Sequence, residues 1–424
     1  MQISIPHRRF FGILFGLALL SARGMAAEPF MIVALPDTQI YAQKFPATFH
    51  TQTRWIVDNR ERENIVFVTQ EGDIVQSAEG GNQRNLEQWK VADAAISRLD
   101  GDLKSHPNGL VPYSVAIGNH DYGRIGVKSA GTDRYLEFFG PDRYKGRSWY
   151  GGHSPDGLSH FQIFQAGGRK FLHFALEWEP DKSVVAWAQS VITAHPGLPT
   201  FITTHAYLTP AHGRSKNAES KGGFSGEQMF QTLVRPNAQV FLVMNGHFSG
   251  ENHQTSTNAA GQPVFEMVTD YQSRPNGGDG FMPLLTFDED AGEIRVRTYS
   301  PLLKKFEIDK KSEFTFKVNF KARLGPVTVA PLAPPSVKVA AFRQGENGYL
   351  GCVDTCLKEK KPTTSYGTST GDLLSDAATE NLGNTSHVLI RFDNLFGVGG
   401  GRIPAGATIL SAELVTHTNE PDPA

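Results

Sequence analysis

The sequence predicts a layered α/β fold with a largely buried sheet, followed by a proline-rich spacer and a smaller β-rich tail. Three observations carry this. Over residues 28–322, short apolar runs rich in β-forming residues alternate with longer amphipathic runs. Residues 325–339 contain Pro326, Pro331, Pro334 and Pro335, a density that gives an extended, semi-rigid spacer. Beyond residue 340, the runs alternate at the strand period. At 424 residues, 39% of them hydrophobic, the chain can bury a large core and exceeds one comfortable domain.

Residues 1–27 read as a leader. Arg8 and Arg9 precede an apolar run over 10–20, then a small-residue stretch with Gly24-x-Ala26, the pattern of a secretory signal peptide. Arg8-Arg9 before Phe10-Phe11 also resembles a twin-arginine export signal. The run is shorter than the about 20 residues a spanning helix needs. The protein is therefore expected to be exported, periplasmic or extracellular, with no membrane span. A formal charge of -2, from 41 Lys+Arg against 43 Asp+Glu, excludes nucleic-acid binding through bulk charge. Two Cys exclude a disulfide framework.

In the next segment, residues 30–35, 65–69, 113–117, 200–204 and 240–244 read as buried strands. Residues 85–100 place Leu86, Trp89, Ala92, Ala95, Ile96 and Leu99 on one helical face, and 49–60 behave similarly. Residues 264–268 and 283–287, set between turn residues, read as sheet-edge or hairpin strands.

The chemistry stands just after those strands. Asp37 and Gln39 follow the first, Gly72-Asp73 the second, Gly118-Asn119-His120-Asp121 the third, His205 the fourth and Gly246-His247-Phe248-Ser249 the fifth. One Asp after a strand is usually a turn or cap residue, and one His is usually a satisfied core or surface residue. Five in series on the rim where open α/β sheets bind ligands point instead to a site. The donors are oxygen and nitrogen without sulfur, which suits divalent Mn, Fe, Zn or Co. One carboxylate can bridge two such ions. Neither a G-x-S-x-G elbow nor a G-x-x-x-x-G-K-[ST] loop is present.

The order D-x-Q, G-D, G-N-H-D, H, G-H, with the stretches LPDTQIYA, NIVFVTQEGDIVQ, VAIGNHDY and VTDYQSRPNGGDG, resembles the calcineurin-like metallophosphoesterases, in particular a secreted bacterial branch. The resemblance spans roughly residues 28–300. It implies a four-layer α-β-β-α sandwich, two divalent ions on one rim, and hydrolysis of phosphate mono- or diesters by attack of a metal-bound hydroxide on phosphorus. It makes Asp73 the bridging carboxylate. Asn119, His205 and His247 would complete the second metal's shell, and Asp37 and Gln39 would serve the first. His120, with Asp121 beside it, would be the catalytic element, stabilising transition-state charge or protonating the leaving oxygen. Three positions depart from the common pattern: Gln39 for His, Ser249 for the last His of G-H-x-H, and Gln76 for an Asp that orients the G-N-H-D histidine. The first metal position therefore looks impoverished, with Ser249 or His253 as stand-ins. Arg214, Lys221, Arg274 and the loop 275–280 are candidates to reach a phosphate, against a bland reading as loop charges. For Tyr122, packing is preferred over nucleobase stacking.

Residues 323–339 form the expected linker. Residues 340–424, with DTCLKE at 354–359, resemble part of a DNRLRE-type β-sandwich, a module associated with glycan binding or structural packing. Strands are expected at 388–392 and 408–416. Cys352 and Cys356, four apart in a strand-like run, would lie about 13 Å apart, too far for a mutual disulfide unless a turn intervenes. Two alternatives stand beside the phosphoesterase: an exported binding protein with little turnover on a degraded scaffold, and an adhesion protein whose active part is the tail.

Overall fold

The computed structural model describes residues 28–77 and 83–327, together with 340, 342–343, 349–358, 360–361, 363–364, 386–397 and 402–403 in the tail. The expected leader, most of the linker and the expected strand at 408–416 lie outside the described residues. The chain divides into two compact units, residues 1–331 and 332–424.

The first unit is a mixed α/β structure. In chain order, it contains β1 (Phe30–Leu35), α1 (Gln39–Lys44), α2 (Pro46–Asn59), β2 (Ile65–Gln70), α3 (Gln83–Ile96), β3 (Tyr113–Val115), α4 (Asp133–Phe139), β4 (Tyr150–His153), β5 (His160–Ala166), β6 (Arg169–Ala175), α5 (Lys182–Ala194), β7 (Thr200–Thr203) and the short hairpin β8 (Leu208–Thr209) and β9 (Gly213–Arg214). There follow α6 (Gly226–Met229), β10 (Val240–Asn245), β11 (Gly250–Thr257), β12 (Pro263–Asp270), β13 (Met282–Asp288), β14 (Glu293–Ser300), β15 (Lys305–Phe306), β16 (Glu313–Lys317) and α7 (Phe320–Leu324).

Two sheets organise these strands. One runs β15-β14-β13-β1-β2-β3, with β16 also on β14; the other runs β11-β12-β10-β7-β6-β5-β4. β1, β2 and β3 are mutually parallel, and so are β6, β7, β10 and β12. The two expected hairpin strands do form antiparallel hairpins, β11–β12 and β13–β14. Neither β12 nor β13 is a sheet edge, however, because each also pairs on its other side, with β10 and β1 respectively.

The sheets meet through aromatic rings. Phe30, Phe67 and Phe287 of the first touch Phe164, Phe171, Phe201 and Phe241 of the second at centroid separations of 4.5 to 6.3 Å. Each such ring, fully buried, stabilises the fold by about 1.5–3 kcal/mol. α2 and α3 bury Phe49, Ile56, Trp89 and Ile96 in that same core. A second core lies on the other side of the second sheet, where Val184 and Ala188 of α5 and Met229 of α6 pack with Leu172, Phe174, Ile202 and Val243. On β7, Phe201 joins the first core and Ile202 the second, as the period of two requires. Arg323, placed in the linker by its sequence, belongs to α7 and donates to the Pro263 and Ala238 carbonyls of the first unit.

In the second unit, the described residues contribute one antiparallel pair, β17 (Cys352–Lys358) with β18 (Ser386–Phe392). Cys352 and Cys356 lie on the same strand, β17, paired across it with Phe392 and Val388.

Candidate metal centre

Parallel strands deliver their carboxyl ends to one rim, and the turns there are unusually tight. Asp73 and His247 both adopt the left-handed conformation, with φ of +52° and +67°. A non-glycine residue held there costs free energy that the surroundings must supply, and such residues collect at functional sites. Two glycines allow the turns to close on one another. A Cβ on Gly246 would collide with Asp37 Oδ1, and one on Gly118 with the backbone nitrogen and Oδ1 of Asp73.

Asp37, Asp73 and His205, all buried, bring ligand atoms within 4.8 Å of one another. Around His205, the packing is tighter. His205 Nε2 lies 3.1 Å from Asp73 Oδ1, 3.0 Å from Asn119 Oδ1 and 3.2 Å from His247 Nδ1, and His247 Nδ1 lies 3.1 Å from Asn119 Oδ1. The ring orientations fit ligation: His205 Nδ1 donates to the Glu71 carbonyl at 2.9 Å, which leaves Nε2 its lone pair in the neutral ring. His247 Nε2 faces Glu219 Oε1 at 3.2 Å, which leaves Nδ1 free in the same way. Ligands about 2.1 Å from one ion stand roughly 3.0–3.4 Å apart, depending on geometry. The observed spacings fall in that range, so Asp73, Asn119, His205 and His247 fit one divalent ion.

On the other side of Asp73, Gln39 Nε2 donates to Asp73 Oδ2 at 2.8 Å, while Gln39 Oε1 is buried and has no partner among the described residues. Asp37 accepts the His247 backbone N–H at 3.1 Å. Burial pushes the Asp37 carboxyl well above its usual range, and the charges of Asp270 and Asp73 push it further. Burial acts on Asp73 in the same direction; when no ion is bound and His205 and His120 are protonated, the charge and hydrogen bond of His205, together with His120, outweigh it and hold Asp73 at about 2, and a bound cation would take the place of those protons.

Asp270 and Gln272 escaped the sequence reading of individual site residues. Asp270 ends β12, which runs parallel to β10 at this rim, and is 1% exposed. Gln272 Nε2 donates to Asp37 Oδ2 at 3.2 Å and to Asp270 Oδ2 at 3.0 Å. The stretch VTDYQSRPNGGDG carries the signal, but a reading of 264–268 as a sheet-edge or hairpin strand hides the rim position.

His120 presents Nε2 to Asp73 Oδ2 at 3.8 Å, with its side chain 20% exposed. Its orientation comes from the Gln76 main chain, because His120 Nδ1 lies 2.8 Å from the Gln76 carbonyl oxygen. The Gln76 side chain, standing where the common pattern has an orienting Asp, makes no hydrogen bond to the ring among the described residues, and its buried Oε1 has no partner among them either. Asp121, expected beside His120 as catalytic, is a fastener instead. Its oxygens accept the backbone N–H groups of Gly118, Ile74 and Val75 at 2.8 to 3.0 Å, tying two rim turns together. His253 is not a stand-in ligand. Its ring stacks on Phe314 at 3.7 Å, held there as one aromatic layer of the β11 face. Ser249 spends its hydroxyl on Asp270 Oδ2 at 3.1 Å.

The candidate phosphate-reaching arginines are consumed by ion pairs, Arg214 with Glu227 and Glu266, Arg274 with Glu251 and Glu307. Lys221 is exposed, and the loop 275–280 contributes Asn276 in an exposed hydrogen bond to Asp279. Tyr122 is buried against Trp178 and donates to Glu177, a packing role.

No family model matches the chain. Over 314 residues it is 32% identical to the uncharacterized protein YvnB of Bacillus subtilis (strain 168), a match covering 71% of this chain and 23% of that protein. The chain thus spans under a quarter of that relative's length. Among solved structures, it is similar to a dimetal phosphatase from Danio rerio, LOC 393393 (TM-score 0.41, 12% identity, 68% of this chain and 98% of that one). It is also similar to GAP50, the anchor in the inner membrane complex of Plasmodium (TM-score 0.38, 11% identity, 73% and 99%). At these values, neither likeness bears on the chemistry. No helix among the described residues is long and apolar enough to cross a membrane.

Proposed function

We propose that the chain is an exported, metal-dependent phosphoesterase, built as a four-layer α-β-β-α sandwich, that hydrolyses phosphate mono- or diesters. One observation carries the reading. Asp73, Asn119, His205 and His247, from four separate strand ends, converge with spacings of 3.0 to 3.2 Å, and the buried acids Asp37 and Asp73 adjoin them. The motif resemblance to calcineurin-like enzymes and the leader-like residues 1–27 support the same reading from the sequence.

Divalent ions of the Mn, Fe, Zn or Co type held there would activate a water and neutralise phosphoryl oxygens. The protein's own part is orientation and proton handling. Asp73, fixed by the His120 backbone N–H at 2.9 Å, keeps the two halves of the centre in register. His120, which donates Nδ1–H to the Gln76 carbonyl, turns Nε2 toward the centre; doubly protonated, the ring would donate Nε2–H to a phosphoryl or leaving oxygen, a contribution worth about 10²–10⁴-fold. Asp121 holds the turn carrying Asn119 and His120 against the turn after Asp73.

The test is turnover of p-nitrophenyl phosphate and bis-p-nitrophenyl phosphate by metal-stripped protein resupplied with Mn²⁺, Zn²⁺ or Co²⁺. Hydrolysis should appear only with metal and be lost in Asp73→Asn. Failure of every metal on a broad phosphoester panel would leave the binding-protein reading in its place.

A further inference from the structure

The two halves of the centre differ in donor chemistry. Beyond the shared Asp73, the half around His205 offers two imidazole nitrogens and the Asn119 oxygen. The other half contains only carboxylates and amides. Asp37, Asp73 and Asp270 are all at most 2% exposed. Among the described residues, no lysine or arginine pairs with any of them; the ion-pair partners found are His120 and His205, both on Asp73. Buried carboxylates without cationic partners are costly, and a bound cation is the ordinary remedy.

Two neutral side chains connect these acids. Gln39 donates through Nε2 to Asp73 Oδ2 and to Gln272 Oε1. Gln272 in turn donates through its own Nε2 to Asp37 and Asp270. Asp37 Oδ2 and Asp270 Oδ2 therefore flank a single amide nitrogen. Within this cluster, Gln39 is fully buried and its Oε1 has no partner among the described residues. That atom is an acceptor set among acids without a donor to satisfy it. The terminal torsion of a glutamine is soft, so either amide can turn its oxygen inward at little cost. Ser249 Oγ and the Gln272 backbone N–H hold the Asp270 carboxylate at the rim.

We propose that Asp270 and Gln272 complete the first cation position, where the common pattern uses a histidine, to give an all-oxygen set of Asp37, Gln39, Asp73, Asp270 and Gln272. Such a set selects a hard divalent ion, Mn²⁺, Mg²⁺ or Ca²⁺, beside a nitrogen-rich second position that suits Zn²⁺ or Fe²⁺. The inference rests on the metal-centre reading above but not on turnover of any ester.

The test uses the full chain, stripped with chelator and titrated with Mn²⁺, with bound metal counted by elemental analysis and the ion pair followed by electron paramagnetic resonance. Wild type should bind two Mn²⁺ with a spin-coupled signal. Asp270→Asn should weaken one of them about 100-fold or more, since even an outer partner costs 10–100-fold, and the coupled signal should give way to that of an isolated ion. Gln272→Ala, which removes no buried carboxylate and so spares the fold, should shift the same ion in the same direction. Asn119→Ala should weaken the other ion instead. Two ions bound by Asp270→Asn at wild-type affinity would overturn the assignment, as would a wild type that binds only one Mn²⁺ at millimolar metal. If two ions bind as expected and no phosphoester is hydrolysed, the assignment stands and the phosphoesterase reading falls.

Discussion

Gly118→Ala isolates close packing from backbone strain. Gly118 has φ -99° and ψ 178°, an extended conformation open to any residue, so the only obstacle to alanine is space. The added Cβ would overlap the backbone nitrogen and Oδ1 of Asp73 and lie 2.9 Å from its Cα. Ordinary carbon contacts need about 3.5–4.0 Å, so Asp73 must retreat by about 1 Å. It cannot do so freely: its carbonyl accepts the Thr38 N–H at 3.1 Å, and its carboxylate holds Gln39, His120 and His205. Overpacking of this kind costs about 1–3 kcal/mol, well inside the 5–15 kcal/mol by which domains are stable. Tm should therefore fall by only a few degrees. Activity should fall far more, because a misplacement of about 1 Å costs on the order of 100-fold in rate. The assay is kcat/KM on bis-p-nitrophenyl phosphate at saturating Mn²⁺, alongside a thermal melt. A variant with activity within about threefold of wild type and unchanged Tm would refute the argument that this glycine sets the position of Asp73.

Three further outcomes are expected. His120→Ala should lower kcat by about 10²–10⁴-fold while metal stoichiometry and KM stay close to wild type; a loss of bound metal would make His120 a ligand instead. Asp121→Ala should cost roughly 3–5 kcal/mol in a denaturant melt by stranding buried backbone donors, with Asp121→Asn recovering part; an unchanged midpoint would contradict the fastening role. In chelator-treated protein, Tm should fall between pH 6.5 and 8, because burial pushes Glu71 up to about 8 and the folded state keeps a proton that the unfolded state has released above about 4.5. That stability is full below the unfolded value and declines as pH rises, by about 2 kcal/mol over the window. The buried His160, pushed down to about 4, acts in the opposite sense only below its ordinary 6.5, so a Tm that rises from pH 6.5 to 8 would refute the assignment to Glu71.

Legibility in the sequence followed locality. β1, β2, β7 and β10 declare themselves because they are largely buried on both faces and read as short runs of apolar and β-branched residues. β5 and β6 do not. His160, Gln162 and His173 point into the interior and satisfy one another, Gln162 Oε1 on His173 Nδ1 at 2.7 Å and His173 Nε2 on Thr203 Oγ1 at 3.0 Å. Polar residues at core positions break the apolar alternation that would have announced the strands. α5 is disguised differently, by Val184, Val185, Val191, Ile192 and Thr193, β-branched residues that favour a strand until Asp181 caps the helix.

The candidate site divides along the same line. Asp37, Asp73, Asn119, His205 and His247 each follow a recognisable strand within a few residues, so a chain reading finds them one at a time. Asp270 does too, but its meaning depends on β12 running parallel to β10, with Met267 beside Met244, a pairing between segments that no local pattern encodes. The same holds for the division of labour between Asp121 and Gln76. Adjacent to His120, a carboxylate looks like chemistry until its oxygens are found on the N–H groups of Ile74 and Val75, more than forty residues earlier. An amide at Gln76 looks like a lost orienting group until the ring is found on that residue's carbonyl. Because the backbone oxygen orients His120 whatever side chain stands at 76, the departure from Asp there removes a charge from the centre without releasing the ring. The centre thereby keeps its geometry while its acids gather as Asp37, Asp73 and Asp270; burial and their mutual repulsion push Asp37 and Asp270 above the usual carboxylate range, a cost that a cation bound on that side, as proposed above, would relieve.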